Sequence, residues 1–506
     1  MDTLPTEILL EVLELLDPAD PGIFALSTSC RRLHFLALPI YLAAHGITDA
    51  QALASKDLVL VPDQLDVLRA LQTALFIPAV KHVSCSFSLN SARPGYTSRN
   101  MDVFFRQIRS LASFLSILER VDRITLDFRD LNFWVIRESL EVLEAWDSVL
   151  STLLDVVLQK HCRTLKVEGG MFIAHPSQLK GKPKSQATVD RWSVVHDVGR
   201  RIGSAFVPKA GARQISDSGK PDPDLRTFII HSRVLLLPPC YKWTIAALNT
   251  SPRLTSLSIV RVEIPENNWE DILSNIHVPS LKYFAFELRT TIKTEALDQF
   301  FLRHSLLTTL NLGRDLFMSS TLPGEASRDC LPSLINFSAS PEHVSCFLTD
   351  KDAPSVRNVR LQVKVTSHAV FNAEKINKTL ARCHARLEPV HLTLVVMIEY
   401  VSSHWTGFFP EDSIVRTKKG VPDALRCSRA LEMTSTCPSN AFEAVVLRWL
   451  FSFPALESIA FSRCFTRLDA LPFVRRVKMV CNKVQTVTLD GTTYDATSLL
   501  PIQNQR

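Results

Sequence analysis

The residues able to do chemistry are scattered along this chain. Eleven cysteines run from Cys30 to Cys481 with no CxxC pair and an odd total, which makes neither a zinc site nor a disulfide framework and fits a reducing compartment. None of the 14 histidines forms the i, i+4 pair that one helix face needs to hold a metal, and His384 and His391 read as structural. The acidic neighbours Asp350-x-Asp352 and Glu411-Asp412 lie among turn residues, where a carboxylate is ordinarily solvated. No P-loop, GxGxxG, HExxH or GxSxG occurs. The expectation is a non-enzyme, with no catalytic residue, metal or cofactor of its own.

Charge, by contrast, has an address. The net charge is +6 over 506 residues, and Lys180 to Lys220 holds nine Lys or Arg against three Asp, so that stretch carries the whole excess. A neutral remainder makes nucleic acid an unlikely partner. Within the stretch, Trp192, Val195, Val198, Ile202 and Phe206 make a helix-length apolar stripe beside Arg191, Arg200 and Arg201. A helix docked on the body is the first reading. The second is a surface built on Trp192, Arg200 and Arg201 that recruits an acidic partner or substrate.

Apolar runs such as Val234–Leu237 and Leu392–Ile398 are far below the roughly 20 residues that span a bilayer. The acidic amino terminus lacks the basic region of a signal peptide. No membrane is expected, and the chain is placed in the cytoplasm, the nucleus or both.

The elements that position these side chains repeat. Leu254-x-x-Leu257-x-Ile259, Leu281-x-x-Phe284-x-Phe286, Leu307-x-x-Leu310-x-Leu312 and Leu334-x-x-Phe337-x-Ala339 start 27, 26 and 27 residues apart. Val356-x-x-Val359-x-Leu361, Leu387-x-x-Val390-x-Leu392, Leu456-x-x-Ile459-x-Phe461 and Val484-x-x-Val487-x-Leu489 extend the series. Weaker copies precede it at Val121, Thr164 and Leu225. Prolines two residues ahead, as at Pro252, Pro279 and Pro332, end the preceding helix and bias the chain toward an extended entry. Alternation at period 2 predicts strands, with helices between them over 267–276, 294–304, 373–384 and 440–451. Two longer helices are expected over 101–120 and 136–161, and Asp490-Gly491 marks a tight turn. A strand and a helix in each of these units resembles leucine-rich repeats, whose period is about 20–29 residues. That resemblance implies a solenoid with a curved parallel sheet.

The amino-terminal stretch is of another kind. A helix is expected to begin at or near Pro5, capped by Thr3 or Asp2, with Leu4, Ile8, Val12 and Leu15 on one face and Glu7, Glu11 and Glu14 on the opposite one. Leu9, Leu13 and Leu16 widen the apolar stripe beyond what so small a unit can bury by itself. Asp20-Pro21 caps a second helix, and a third is expected from Ser29 to a stop near Pro39. Leu4-Pro5-x-Glu7-Ile8-Leu9, Leu26-Ser27-x-x-Cys30-Arg31-Arg32 and Leu36-Ala37 together resemble the F-box. F-boxes dock on the Skp adaptor of cullin-based ubiquitin ligases. The resemblance therefore implies adaptor binding through Leu4, Pro5, Ile8, Leu9, Leu26, Cys30 and Leu36, with a protein target held by the solenoid.

The predicted fold class is α/β: a small all-α F-box-like domain over 1–45, a helical linker over 46–79, and an irregular leucine-rich-repeat-like solenoid over 80–506. Excursions interrupt the solenoid at about 175–224 and 393–440. The predicted function is substrate receptor of a Skp-cullin-F-box ligase; the alternative is a non-enzymatic scaffold with no part in ubiquitination.

Overall fold

The computed structural model describes residues 4–61, 65–87, 98–129, 140–170, 223–237, 240–288, 290–319, 331–348, 353–365, 376, 378–379, 383, 391–398, 428–435, 443, 446–447, 450–451, 453–465 and 468–502. They fall into two compact units. One comprises Met1–Arg226 and Ser232–Arg253, the other Thr227–His231 and Leu254–Arg506.

The first unit opens with three helices, α1 (Thr6–Glu14), α2 (Pro21–Ser29) and α3 (Arg31–Ala44). Asp20 caps α2 as its sequence predicts, the carboxylate accepting the Gly22 N–H at 2.6 Å. The expected stop near Pro39 does not occur, and α3 runs through it. An interior proline costs roughly 3 kcal/mol. Continuing the helix buries Tyr41 and Leu42, at about 1.5–3 kcal/mol for a large apolar side chain, and that gain wins.

His34 ties this trio to the segment at Leu75 and Phe76. Its buried ring meets the Ser27 carbonyl through Nδ1 at 3.2 Å, and Nε2 accepts the Leu75 N–H at 3.2 Å. With a carbonyl at one nitrogen and an N–H at the other, only the neutral tautomer protonated on Nδ1 satisfies both. Phe76 lies tilted beside it, its ring centroid 5.9 Å from that of His34 and 6.0 Å from that of Phe35.

The segment expected to be only a helical linker contributes a strand. Strand β1 (Asp57–Leu60) pairs in parallel with β2 (Ala79–Ser86), which pairs with β3 (Arg120–Phe128), and that in turn with β4 (Thr164–Gly169). The sheet thus begins one strand earlier than predicted. Its crossovers are α4 (Leu65–Thr73), α5 (Ser98–Ile117) and α6 (Leu140–Gln159), each packed on the next. Val83, Ile124 and Leu165 share one register row and Cys85, Leu126 and Val167 another, all buried. Phe104, Ile108, Leu111 and Leu115 of α5 and Leu150 and Leu154 of α6 are buried too, as their helical spacing predicts. A Cβ on Gly169, at φ +75°, would stand 2.2 Å from the Arg129 nitrogen, so only glycine closes this strand. Helix α7 (Tyr241–Asn249) is held by Trp243, whose Nε1 donates to Asp155 of α6 at 2.8 Å.

In the second unit the strands add in chain order. They are β5 (Thr227–His231), β6 (Ser256–Val260), β7 (Tyr283–Glu287), β9 (Thr309–Leu312), β11 (Asn336–Ala339), β12 (Asn358–Val365), β13 (His391–Ile398), β14 (Ala430–Ser435), β15 (Ser458–Ser462) and β16 (Thr486–Leu489). Each pairs in parallel with the next. Two short strands, β8 (Thr291–Lys293) and β10 (Phe317–Ser319), pair apart from it. Along β5, β6, β9, β11 and β16 buried and half-exposed residues alternate, which is the signature of a sheet covered on one face only. Helices α8 (Glu266–Asn275), α9 (Thr294–Arg303), α10 (Pro341–Phe347) and α11 (Ala470–Val480) join its strands.

Two expectations need correcting here. Val359 pairs with Leu392, so the motif copy placed at Leu387 and Val390 stands two residues too early. The supposed excursion at 393–440 contains most of β13 and all of β14. There Ser428, buried, occupies the position of the first motif leucine. At β13 the rows also slip by two, since Leu361 pairs with Leu394, Leu394 with Leu431 and Leu431 with Ile459. A slip of two keeps every side chain on its face, as a slip of one would not. The Asp490-Gly491 turn is present, with φ of 46° and 90°, and joins β16 to an antiparallel β17 (Thr492–Asp495). Of the helices expected over 373–384 and 440–451, only single residues, among them Ile376, Cys383, Glu443 and Leu450, are described, and these are helical.

Two measurements test this architecture. His34→Ala leaves two backbone groups without their partner, at about 1–3 kcal/mol; faster hydrogen exchange around Leu75 is expected, and unchanged exchange would refute the bridging role. His304 and His343 are buried neutral, their pKa pushed down to about 4 from 6.5, chiefly by burial. Between those values the unfolded chain binds more protons than the folded one. Stability should therefore be full above pH 6.5 and decline as pH falls toward 4. A His304→Asn, His343→Asn variant should show a flatter melting-temperature profile over that window; an unaltered slope would contradict the assignment.

Candidate functional site

Helix α1 divides its apolar residues between two faces. Leu9 and Leu13 turn inward to join Ile23, Leu33, Ala37 and Leu38 in the core of the trio. Leu4, Ile8, Val12 and Leu15 remain outside, the last three exposed by 46%, 50% and 87%. Ile8, Val12 and Leu15, four and three apart, lie on one side of α1, and Leu4 stands just ahead of that helix, so these make an apolar strip. Leu16 is exposed beside it, and Leu10 is exposed on the other side of the helix. Large side chains along one surface helix and just ahead of it, with no neighbour to cover them among the described residues, are what a docking face looks like.

The predicted adaptor-binding residues fall into three groups. Leu4, Pro5 and Ile8 are exposed on or beside the strip, whereas Leu9 belongs to the core. Leu26, Cys30 and Leu36 are half-buried. Arg32 Nη2 donates to Thr6 Oγ1 at 2.9 Å, which brings the start of α3, with Cys30, to the start of α1, with Leu4 and Pro5. This gives the basic pair of the sequence motif a positioning role that composition alone did not reveal. Trp192, Arg200 and Arg201, with the whole basic stretch over 180–220, lie outside the described residues.

One arrangement of chemically capable side chains escaped the sequence reading, because its members come from three strands. Asp57 Oδ2 is 3.3 Å from His82 Nδ1, and His82 Nε2 is 3.1 Å from Thr125 Oγ1. This is the order of an acid, a base and a hydroxyl. Acyl transfer also needs N–H donors for the oxyanion, and β2 and β3 are paired in the interior of the ladder, their neighbours taking up those donors. Asp57, moreover, is exposed. Four buried thiols are held from acting as nucleophiles: burial pushes Cys85, Cys162 and Cys464 up to about 12 and Cys481 to about 11, which withholds their thiolates at neutral pH.

Residues 1–44 match the family described as F-box-like. No curated protein matches the chain. No helix among the described residues is long and apolar enough to cross a membrane. The match ends at the last residue of α3, so it covers the trio that carries the exposed strip. Domains of this family typically bind Skp-type adaptors. The amino-terminal helices are an F-box-like domain followed by an α/β body with a mostly parallel sheet, and this supports identifying the chain as an F-box protein.

Proposed function

We propose that this chain is the substrate-receptor subunit of a Skp-cullin-F-box ubiquitin ligase. The observation that carries the reading is the uncovered strip of Leu4, Ile8, Val12 and Leu15 on an F-box-like domain. A Skp-type adaptor covers the strip and brings the cullin with it. The α/β body, read as a leucine-rich-repeat-like solenoid, holds a protein target on the polar face of its sheet. Strand addition in chain order and one-sided burial support that reading.

Bond making belongs, in this account, to the conjugating enzyme brought by the cullin; the chain supplies nearness and orientation. It needs no cofactor and no metal. Free cysteines at Cys85, Cys162, Cys240 and Cys383 favour a reducing compartment, cytoplasmic or nuclear.

Burying a large apolar side chain stabilises by about 1.5–3 kcal/mol, and each 1.4 kcal/mol is about tenfold in affinity. Ile8→Asp with Val12→Asp removes two such contacts while leaving the core residues Leu9 and Leu13 in place. Adaptor capture should fall at least about a hundredfold with the melting temperature unchanged. Undiminished capture would overturn the proposal. Leu9→Asp serves as contrast, since it should loosen the trio itself.

A further inference from the structure

One carboxylate in the first unit is attended by three guanidinium groups. Asp224 is only 12% exposed. Its Oδ2 accepts from Arg163 Nε at 3.2 Å, and its Oδ1 from Arg253 Nη1 at 3.1 Å and Arg226 Nε at 3.4 Å. The arginines are held from beneath: the Arg226 backbone N–H donates to the Arg163 carbonyl at 2.9 Å, so two of them stand on neighbouring backbone segments.

A single cation would suffice to pair Asp224. Two further guanidinium groups within a few ångströms repel each other, so the cluster holds more positive charge than the stability of one carboxylate requires. Burial works to raise the Asp224 pKa, yet the Arg253, Arg163 and Arg226 bonds outweigh it and hold the carboxyl below its ordinary range. The site therefore stays at two net positive charges at neutral pH.

Most of the hydrogen-bonding capacity is unspent. Arg163 commits its Nε and Arg253 one terminal nitrogen, and neither side chain has another partner among the described residues. They are 44% and 57% exposed. A guanidinium has five donors in a planar fork whose spacing matches the oxygens of a carboxylate or phosphate. Two such forks fixed by a shared buried anion lose little freedom on meeting a second one.

We propose that Arg163, Arg226 and Arg253, organised by Asp224, form an oxyanion-recognition site that takes a carboxylate or phosphate group from an acidic segment of a protein target. Naming that segment's owner a target rests on the proposed receptor function; the binding site stands on its own geometry. Asp224 acts as a positioning residue, spacing the three forks so that a tetrahedral or planar anion meets two at once.

The test uses the full chain and three fluorescein-labelled peptides of equal length, rich in glutamate, phosphoserine or glutamine, with binding read by anisotropy. The glutamate or the phosphoserine peptide should bind and the glutamine peptide should not. Preference between the first two tells which oxyanion is taken, and a preference for either supports the site. Arg163→Gln with Arg253→Gln should weaken binding at least tenfold. Arg253→Lys, which keeps the charge and loses the fork, should cost a few-fold while leaving the fold intact. Arg429→Gln, removing an arginine of the second unit that pairs with Glu457, should change nothing. The proposal is overturned if the double variant, shown folded by circular dichroism, binds as the parent does. Equal binding of the glutamine peptide, or stronger binding of a single-stranded RNA of matched charge, would overturn it too. Adaptor capture is measured on the same samples. A parent chain that binds acidic peptide without capturing adaptor sinks the receptor reading alone, and capture without peptide binding sinks this one alone.

Discussion

Stacking is the constraint on which both units depend. A strand of four or five residues turns two apolar side chains toward the core, and two side chains cannot shelter one another. Phe284, Leu310 and Phe337 are buried because each lies in register with the next. The backbone enforces the same adjacency one step earlier: Lys282, Thr308, Ile335 and Arg357 each bond to the residue at the same place in the strand before, Ile335 to Thr308 at 2.9 Å and Arg357 to Ile335 at 3.0 Å. Burial at about 25 cal/mol per Å² is thus shared along the row, and no strand is stable by itself.

Covering one face commits the other to polarity. In the second unit Asn358 Nδ2 donates to Asn336 at 2.8 Å, and Gln362 Nε2 donates to Asn311 at 3.0 Å and to Ser338 at 2.8 Å. Side chains from neighbouring strands hold each other's donors and acceptors, so this face is ordered before anything binds to it. The F-box-like helices solve their burial problem differently. They turn Leu9 and Leu13 inward, borrow the Leu75 N–H through His34, and leave the rest of α1 to a partner.

Much of this was legible from residue spacing. The copies at Val121, Leu254, Leu281, Leu307, Leu334, Val356, Leu456 and Val484 all lead into strands, because alternation at period 2, in five of them just after a helix-ending proline, has few other outcomes. The F-box-like trio was readable from Leu4-Pro5 and from Asp20-Pro21. What escaped did so for physical reasons. Strand β14 has a buried serine where the pattern wants leucine, and β1 likewise has Ser55 at that position, three residues before Leu58. Pro39 reads as a stop only while the apolar residues beyond it are left out of account. The division of α1 between core and surface is a matter of what packs against it, and the arginines around Asp224 come from positions far apart in the chain.

The end of the second unit's sheet bears on how this protein behaves when concentrated. Strand β17 reverses direction after Asp490-Gly491, and its outer side is itself occupied: Ile502 N–H donates to the Thr493 carbonyl at 2.7 Å, Asp495 N–H to the Leu500 carbonyl at 2.9 Å, and Tyr494 bridges Pro501. A fold that grows by adding strands would otherwise offer its last row of amides to any passing chain. Here a reversed strand and a doubled-back segment containing proline occupy that row, so this edge gives a second molecule no template on which to add a strand.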